Sequence, residues 1–334
     1  MFVETHLRTT ILLHTTTTES YYDQSDLMRI SIIIPAYNEE GNIHKIHTEI
    51  ESVFKDLDYS YEIIFVNDGS VDDTEKKILE LTGLDSNVKL ISFSKNFGHM
   101  SALIAGYNHC QSDAAITMDC DLQHPPELIK DLVLKWEEGF EIVNTLRIDD
   151  DQKDIFKKYT SSYFYKLFAG VSGVPIEKGS ADYRLIDKKV IREINLLKEH
   201  EIFLRGMFYW LGFNRTSIAY TPNERYSGKT KYNFRKMLLF AINGITSFST
   251  VPLKMITILG FFVSCLSFLY LGYTLYSYFF TTNVISGWTS LAISTLFLGG
   301  VQLIALGVLG EYVGRIFIES KNRPRYVVKT KKGF

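Results

Sequence analysis

Arg29-Ile30-Ser31-Ile32-Ile33-Ile34-Pro35-Ala36-Tyr37-Asn38-Glu39-Glu40 is the stretch on which the fold turns. Its apolar part, 30–34, is rich in β-branched side chains, as expected of a strand buried on both faces of a parallel sheet. At Pro35 the run breaks into a polar turn. Residues 42–57 follow, with Ile43, Ile46, Ile50, Val53, Phe54 and Leu57 on one helical face. The alternation continues with strand 62–66, helix 73–81, strand 88–93, helix 100–109, strand 114–118, helix 126–136 and strand 141–145. Strand–helix alternation of this kind predicts an α/β domain on an open sheet with right-handed crossovers. Ligands of such sheets bind at the carboxyl ends of the strands, and the polar stretches after Ile34, Val66 and Met118 fall there. From 149 to 250 the pattern loosens. There 196–210 and 233–248 read as amphipathic helices, the second entered by basic residues, a type that lies in membrane interfaces.

The net charge of −2 over 334 residues hides an asymmetry. Residues 1–204 carry 21 basic and 35 acidic side chains; residues 205–334 carry 15 basic and only Glu224, Glu311 and Glu319 as acids. An acidic half joined to a basic half points to an anionic partner for the second, such as phospholipid or a phosphate substrate. From Met255 to Gly310 there is no Asp, Glu, Lys, Arg or His. Since about 20 apolar residues cross a bilayer core, this stretch holds two spans, near 252–280 and 289–312, joined by an uncharged turn. Lys229, Lys231, Arg235, Lys236 and Lys254 precede the pair, and Arg315, Lys321, Arg323, Arg325, Lys329, Lys331 and Lys332 follow it. By the positive-inside rule both ends are cytoplasmic and the turn is exterior.

Three cysteines, Cys110, Cys120 and Cys265, without a CxxC pair, suit a reduced compartment. The apolar run 11–13 is too short for a secretory signal. The chain therefore divides into a polar, Thr-rich tail (1–27), a cytoplasmic catalytic domain (28–232), an interfacial amphipathic helix (233–251), a two-span hairpin (252–314) and a basic cytoplasmic tail (315–334).

Chemistry concentrates in Met118-Asp119-Cys120-Asp121-Leu122-Gln123-His124-Pro125-Pro126-Glu127, at the end of a buried strand. In extended geometry residues i and i+2 point the same way, so Asp119 and Asp121 can meet one hard cation, and Gln123 offers a third oxygen. Mg²⁺ bound in this way keeps positions for water and substrate phosphates. Pro125 and Pro126 fix the turn that follows. After the second strand comes Val66-Asn67-Asp68-Gly69-Ser70-Val71-Asp72-Asp73-Thr74, in which Gly69 permits a tight turn. Asp68 stands where a carboxylate can accept from a base or ribose. Asp72, Asp73 and Thr74 read as structural, with Asp72 or Asp73 capping the next helix. No G-x-G-x-x-G and no G-x-x-x-x-G-K-[ST] occurs, which weighs against dinucleotide and ATPase readings.

Together the three segments resemble glycosyltransferase family 2, with its GT-A fold and nucleotide-sugar donors. Downstream, Ala181-Asp182-Tyr183-Arg184-Leu185, Arg205-Gly206-Met207-Phe208 and Arg225-Tyr226-Ser227-Gly228-Lys229-Thr230-Lys231-Tyr232 resemble motifs of the polyprenyl-phosphate branch. Gly310-Glu311-Tyr312-Val313-Gly314-Arg315 and Asn322-Arg323-Pro324-Arg325-Tyr326 are similar to the close of bacterial undecaprenyl-phosphate glycosyltransferases of the GtrB type. Dolichol-phosphate mannose synthases share the catalytic part. The Q-x-x-R-W motif of processive polysaccharide synthases is missing, since Tyr209 precedes Trp210.

The resemblance implies that Asp119, Asp121 and Gln123 hold Mg²⁺ or Mn²⁺ against the donor diphosphate. It implies that Pro35, Tyr37, Glu39 and Asp68 line the nucleotide pocket, and that Arg147, Lys157 and Ser161 take the acceptor phosphate. Arg225, Lys229 and Lys231 would close over the donor phosphates, Arg225 acting in catalysis. The expected reaction is inverting transfer of a hexose, glucose or a related sugar, from a nucleotide-sugar, with UDP preferred, to polyprenyl (undecaprenyl) phosphate. The same fold acting on another lipid or on a cell-envelope polysaccharide is the alternative. The expected setting is a bacterial inner or plasma membrane with membrane lipid as a partner, no nucleic acid, and a homo-oligomeric assembly.

Overall fold

The computed structural model describes residues 28–148, 177, 179–200, 202–223, 249–280 and 287–334. The first strand, β1 (Arg29–Ala36), lies inside an eight-stranded sheet. It is followed by α1 (Ile43–Phe54), β2 (Ser60–Asn67), α2 (Thr74–Leu84), β3 (Val88–Phe93), α3 (His99–His109), β4 (Ala114–Thr117), α4 (Leu128–Glu137) and β5 (Ile142–Arg147). Each matches an element expected from periodicity, within a few residues at its ends. Next come β6 (Ser180–Asp187), α5 (Lys188–Leu196), α6 (Leu204–Trp210) and β7 (Arg215–Tyr220). Of the helix expected over 196–210, only the second half forms.

The strand order is β7-β5-β6-β4-β1-β2-β3-β8. β1 pairs in parallel with β2 on one side and β4 on the other. The sheet turns antiparallel at β6, which runs between β4 and β5. Alternation along β1 feeds two cores. Ile30, Ile32 and Ile34 pack with Ile43, Ile46 and Ile50 of α1, with Ile78 of α2 and with Ile129 and Leu132 of α4. Ile33 faces the layer of α3, α5 and α6, among Ala102, Ile191 and Phe208. Ser31 shares that second face, and its hydroxyl donates to the buried Glu62 carboxylate at 2.5 Å. Lys89 (2.6 Å) and Arg29 (3.1 Å) neutralise Glu62, as a buried charge requires.

Two long helices follow, α7 (Val251–Phe280) and α8 (Trp288–Ser320). Within them Val251–Ser277 and Ile293–Ser320 are long and apolar enough to cross a membrane, with mean hydropathies of 2.0 and 1.9. The Tyr312 hydroxyl donates to the Ser249 carbonyl at 2.7 Å, so the end of α8 adjoins the start of α7, as in a hairpin. The chain then returns to the sheet. β8 (Val328–Lys332) pairs antiparallel with β3, and the Tyr326 ring stacks on Phe93 with centroids 4.9 Å apart. Nothing in the alternation of 328–332, three of whose five residues are lysine, announced a strand. The 233–248 helix and the 1–27 tail lie outside the described residues.

α3 sits close on the sheet at Gly106, where a Cβ would lie 2.2 Å from Ile33 Cγ2. Overpacking of this kind typically costs about 1–3 kcal/mol. Gly106→Val is expected to lower the thermal midpoint by roughly 2–4 °C per kcal/mol for a domain of this size. Differential scanning fluorimetry checks it, and an unchanged midpoint would mean that the two layers relax without cost.

Candidate active site

The first two carboxyl-edge loops are knitted together before any ligand is considered. Asn38, at φ 57°, donates its N–H to Ser70 Oγ and accepts from Val71 N–H, both at 3.0 Å. Glu39 N–H donates to Thr74 Oγ1 at 2.9 Å, and Asp73 N–H to Glu40 Oε2 at 3.0 Å. Asp72 accepts from the Thr74 hydroxyl and N–H. Asp72 and Thr74 are thus engaged in the loops' own hydrogen bonds. The Glu39 carboxylate is oriented by Asn42, whose Nδ2 donates to it at 2.6 Å.

Asp68 is buried at the end of β2. Its two oxygens accept from the N–H groups of Phe97 (2.7 Å) and Gly98 (3.0 Å). Burial pushes its carboxyl upward against these bonds. Asp68 therefore pins the loop after β3 over the cleft. Gly69 beneath it has φ +67°, and a Cβ there would meet the Lys95 carbonyl carbon at 2.4 Å, so only glycine fits the turn.

β4 ends at Thr117 and releases Asp119 and Asp121 into the next turn. Asp119 is well exposed at the side chain, whereas Asp121 is buried. Gln123 N–H donates to Asp121 Oδ1 at 3.2 Å, and Leu122 between them is held at φ 61°. A non-glycine residue in the left-handed region is strained, and such strain clusters at functional sites. Pro35, Tyr37, Glu39, Asp68, Asp119 and Asp121 line one cleft of about 330 Å³, with Asn96, Gly98 and His99. Six of the expected site residues are brought together. Gln123 is not in that lining and enters the turn through its main chain, its carbonyl accepting from Asn223 N–H at 3.2 Å. Arg147 stands exposed at the far end of β5, outside the cleft lining. Lys157, Ser161, Arg225 and Lys229 lie outside the described residues.

Residues given no role by sequence reasoning complete the site. His99 opens α3, with Nε2 3.9 Å from Asp119 Oδ1 and 3.7 Å from Asp182 Oδ2. Arg205 clamps Asp182 with two hydrogen bonds of 2.9 Å, and Arg184 adds a contact at 3.3 Å. Burial pushes the Asp182 carboxyl up, but the charges of Arg205 and Arg184 and the His99 contact outweigh it and hold it well below the usual carboxylate range. Burial would depress the His99 imidazole, yet Asp182 and Asp119 keep it above its ordinary value. The signal was in the sequence: Asp182 and Arg205 belong to motifs already singled out, but their pairing across 23 residues is a tertiary fact.

Among the described residues, no three His, Cys, Asp or Glu side chains form a ready metal cage. Two carboxylates at the rim of an open cleft suit a hard cation that takes its remaining ligands from water and substrate phosphates.

A sequence model of glycosyl transferase family 2 matches residues 31–194. The glycosyltransferase YkcC of Bacillus subtilis is 42% identical over 306 residues, 92% of this chain and 95% of that protein. The bactoprenol glucosyl transferase of Shigella phage SfV is 42% identical over 305 residues, 91% of this chain and 99% of that protein. A prophage bactoprenol glucosyl transferase homolog of Escherichia coli is 40% identical over 302 residues, 90% and 99% of the two chains. The chain belongs to glycosyltransferase family 2. Its mixed sheet, with the carboxylate turn after β4, is the GT-A arrangement expected for the family, and the protein is a glycosyltransferase. The transferase's candidate site thus lies at the ends of β1, β2 and β4, backed by the Asp182–Arg205 pair.

That pair has a pH signature. A carboxyl lowered in the folded protein contributes stability that is fully present above its unfolded value, near 4. The contribution is lost as pH falls toward the lowered folded value. Asp182→Asn is expected to flatten the fall of the thermal midpoint below about pH 4. An acid limb identical to wild type would show that Asp182 does not carry it.

Proposed function

We propose that this transferase moves a hexose from a nucleotide-sugar, UDP-linked by preference, onto polyprenyl phosphate at the cytoplasmic face of a bacterial membrane, in a metal-dependent, inverting step. The observation that carries the reading is one chain joining a carboxylate-lined GT-A cleft to two apolar helices whose ends adjoin. The relatives named bactoprenol glucosyl transferase support it, because the match spans 91% of this chain and 99% of the SfV protein. The cleft lining supports the metal. It contains Glu39, Asp68, Asp119 and Asp121, with His99 as its one basic member. A diphosphate brought against four carboxylates needs a counter-cation. Mg²⁺ or Mn²⁺ held by Asp119 and Asp121 would supply charge neutralisation of the departing nucleoside diphosphate.

Tyr37 offers a ring to the base, and Glu39 and Asp68 offer acceptors to base or ribose. Arg225 and Lys229 would close over the diphosphate, while Arg147, Lys157 and Ser161 would hold the acceptor phosphate. That phosphate is anionic near neutral pH, so its oxygen attacks the anomeric carbon without a strong base. The lowered carboxyl of Asp182 agrees with this, being a poor proton acceptor. One attack from the opposite face inverts the anomeric centre. The hairpin keeps the lipid's phosphate at the interface beside the sheet's carboxyl edge.

Two measurements test the proposal. Purified enzyme with UDP-glucose and undecaprenyl phosphate should form a glucosyl lipid, and Asp121→Asn or EDTA should reduce turnover by two orders of magnitude or more. Full activity in EDTA after dialysis would remove the metal; labelled product on diacylglycerol or polysaccharide would replace the acceptor. In a cysteine-free background, a cysteine at Asn283 should react with an impermeant maleimide in intact cells while one at Lys321 stays protected. The reverse pattern would put the site out of reach of cytoplasmic nucleotide-sugars.

A further inference from the structure

The strained turn that carries Asp119 and Asp121 needs something to hold it, and the nearest candidate is a residue with no assigned role. His124 is buried, only 5% exposed. Its Nδ1 lies 2.9 Å from the Asp119 main-chain nitrogen. A peptide N–H can only donate, so Nδ1 is the unprotonated nitrogen and the ring proton sits on Nε2. Nε2 in turn faces Asp119 Oδ2 at 3.7 Å, longer than a hydrogen bond but on the carboxylate's side. The imidazole is fixed from behind. It stacks on Tyr183 with centroids 4.9 Å apart and planes 19° apart, and meets the edge of Tyr220 at 5.9 Å. The Tyr183 hydroxyl donates to the Pro125 carbonyl at 2.8 Å, so the stacking partner is itself tied to the residue after His124.

We infer that His124 is a positioning residue for the carboxylate pair: its Nδ1 closes the turn from 119 to 124 and so sets Asp119 and Asp121 at one edge of the cleft. The clasp acts in concert with the Gln123 N–H bond to Asp121. Between them Leu122 is kept at φ 61°, a conformation that persists only when its surroundings impose it. Losing the Nδ1 acceptor would leave a sheltered N–H unpaired and let the turn relax, carrying Asp119 away from Asp121. The inference rests on the proposed metal reading, because the property it protects is a shared cation.

Two substitutions separate this role from packing alone. His124→Phe keeps the stacked ring and removes the acceptor. His124→Asn loses the ring, but its Oδ1 stands near the position of Nδ1 and can accept the same N–H. The readout is the dissociation constant for Mn²⁺ with UDP, by isothermal titration calorimetry on the full-length enzyme, alongside the Michaelis constants of both substrates. We expect His124→Phe to weaken Mn²⁺·UDP binding at least tenfold and to raise the donor Michaelis constant while the lipid one stays within twofold. His124→Asn should remain within about threefold of wild type. The opposite order, wild-type binding by His124→Phe, or an Asn variant that fails to fold, overturns the inference, since each makes the ring's packing the residue's role. If His124→Phe fails to fold, the Asn variant decides alone: near-wild-type binding supports the clasp and a tenfold loss refutes it. Asp121→Asn run in parallel keeps the two readings apart. Undiminished Mn²⁺·UDP binding there sinks the metal reading itself, whereas loss there with no effect of His124→Phe sinks only the clasp.

Discussion

β1 pairs in parallel with β2 and β4, and the site depends on that central triplet. Parallel neighbours end on the same edge, so the loops after Ala36, Asn67 and Thr117 emerge side by side. Because β1 is buried on both faces, it cannot slip by one residue without exchanging the residues that feed its two cores. Ile33 would leave the α3 layer and Ser31 would leave Glu62. The registers Ala36 with Asn67 and Ile33 with Thr117 are therefore fixed by packing far from the cleft. The carboxylates of Glu39, Asp68, Asp119 and Asp121 inherit their closeness from it.

That closeness creates an electrostatic problem. Several carboxylates in and around the sheet are satisfied by protein groups. Asp182 has a bidentate arginine, Asp68 has two main-chain donors, and Glu62 has a lysine and an arginine. Asp119 and Asp121 lie in the turn itself, where Asp119 has His99 at 3.9 Å and His124 at 3.7 Å and Asp121 Oδ1 accepts from Gln123 N–H at 3.2 Å. Carboxylates held together in a cleft repel one another unless a cation intervenes.

Legibility from sequence followed the same physics. Elements whose burial pattern is self-contained were readable, as with the β-branched core of β1 or the apolar face of α1. The motif turns were readable too, because polar residues at the ends of buried strands have few structural reasons to be there. What could not be read depends on partners distant in the chain. β6 carries Asp182 and Arg184 among its apolar residues, so its alternation is broken by these two charged groups. β7 is only partly buried along most of its length. β8 has three lysines in five residues and is a strand only because β3 offers it an open edge. The Asp119–His124 contact spans five residues, yet it needed the left-handed turn at Leu122, which no propensity predicts.

β8 also bears on how the catalytic domain meets the two long helices. Residues 321–327 alone link α8 to β8, and seven extended residues reach about 25 Å at most. The end of α8 is therefore leashed to the β3 edge of the sheet. A second attachment lies at the linker itself: Glu319, just before it, accepts from His200 N–H at 2.8 Å, and Arg325, within it, donates to the Leu197 carbonyl. Covering β3 also removes an open edge that would invite pairing with other chains. Two separate attachments restrict rotation as one flexible linker could not. For the proposed reaction, whose acceptor phosphate would be confined to a membrane plane, that restriction would hold the cleft at one height above the plane, where it meets its substrate without a search.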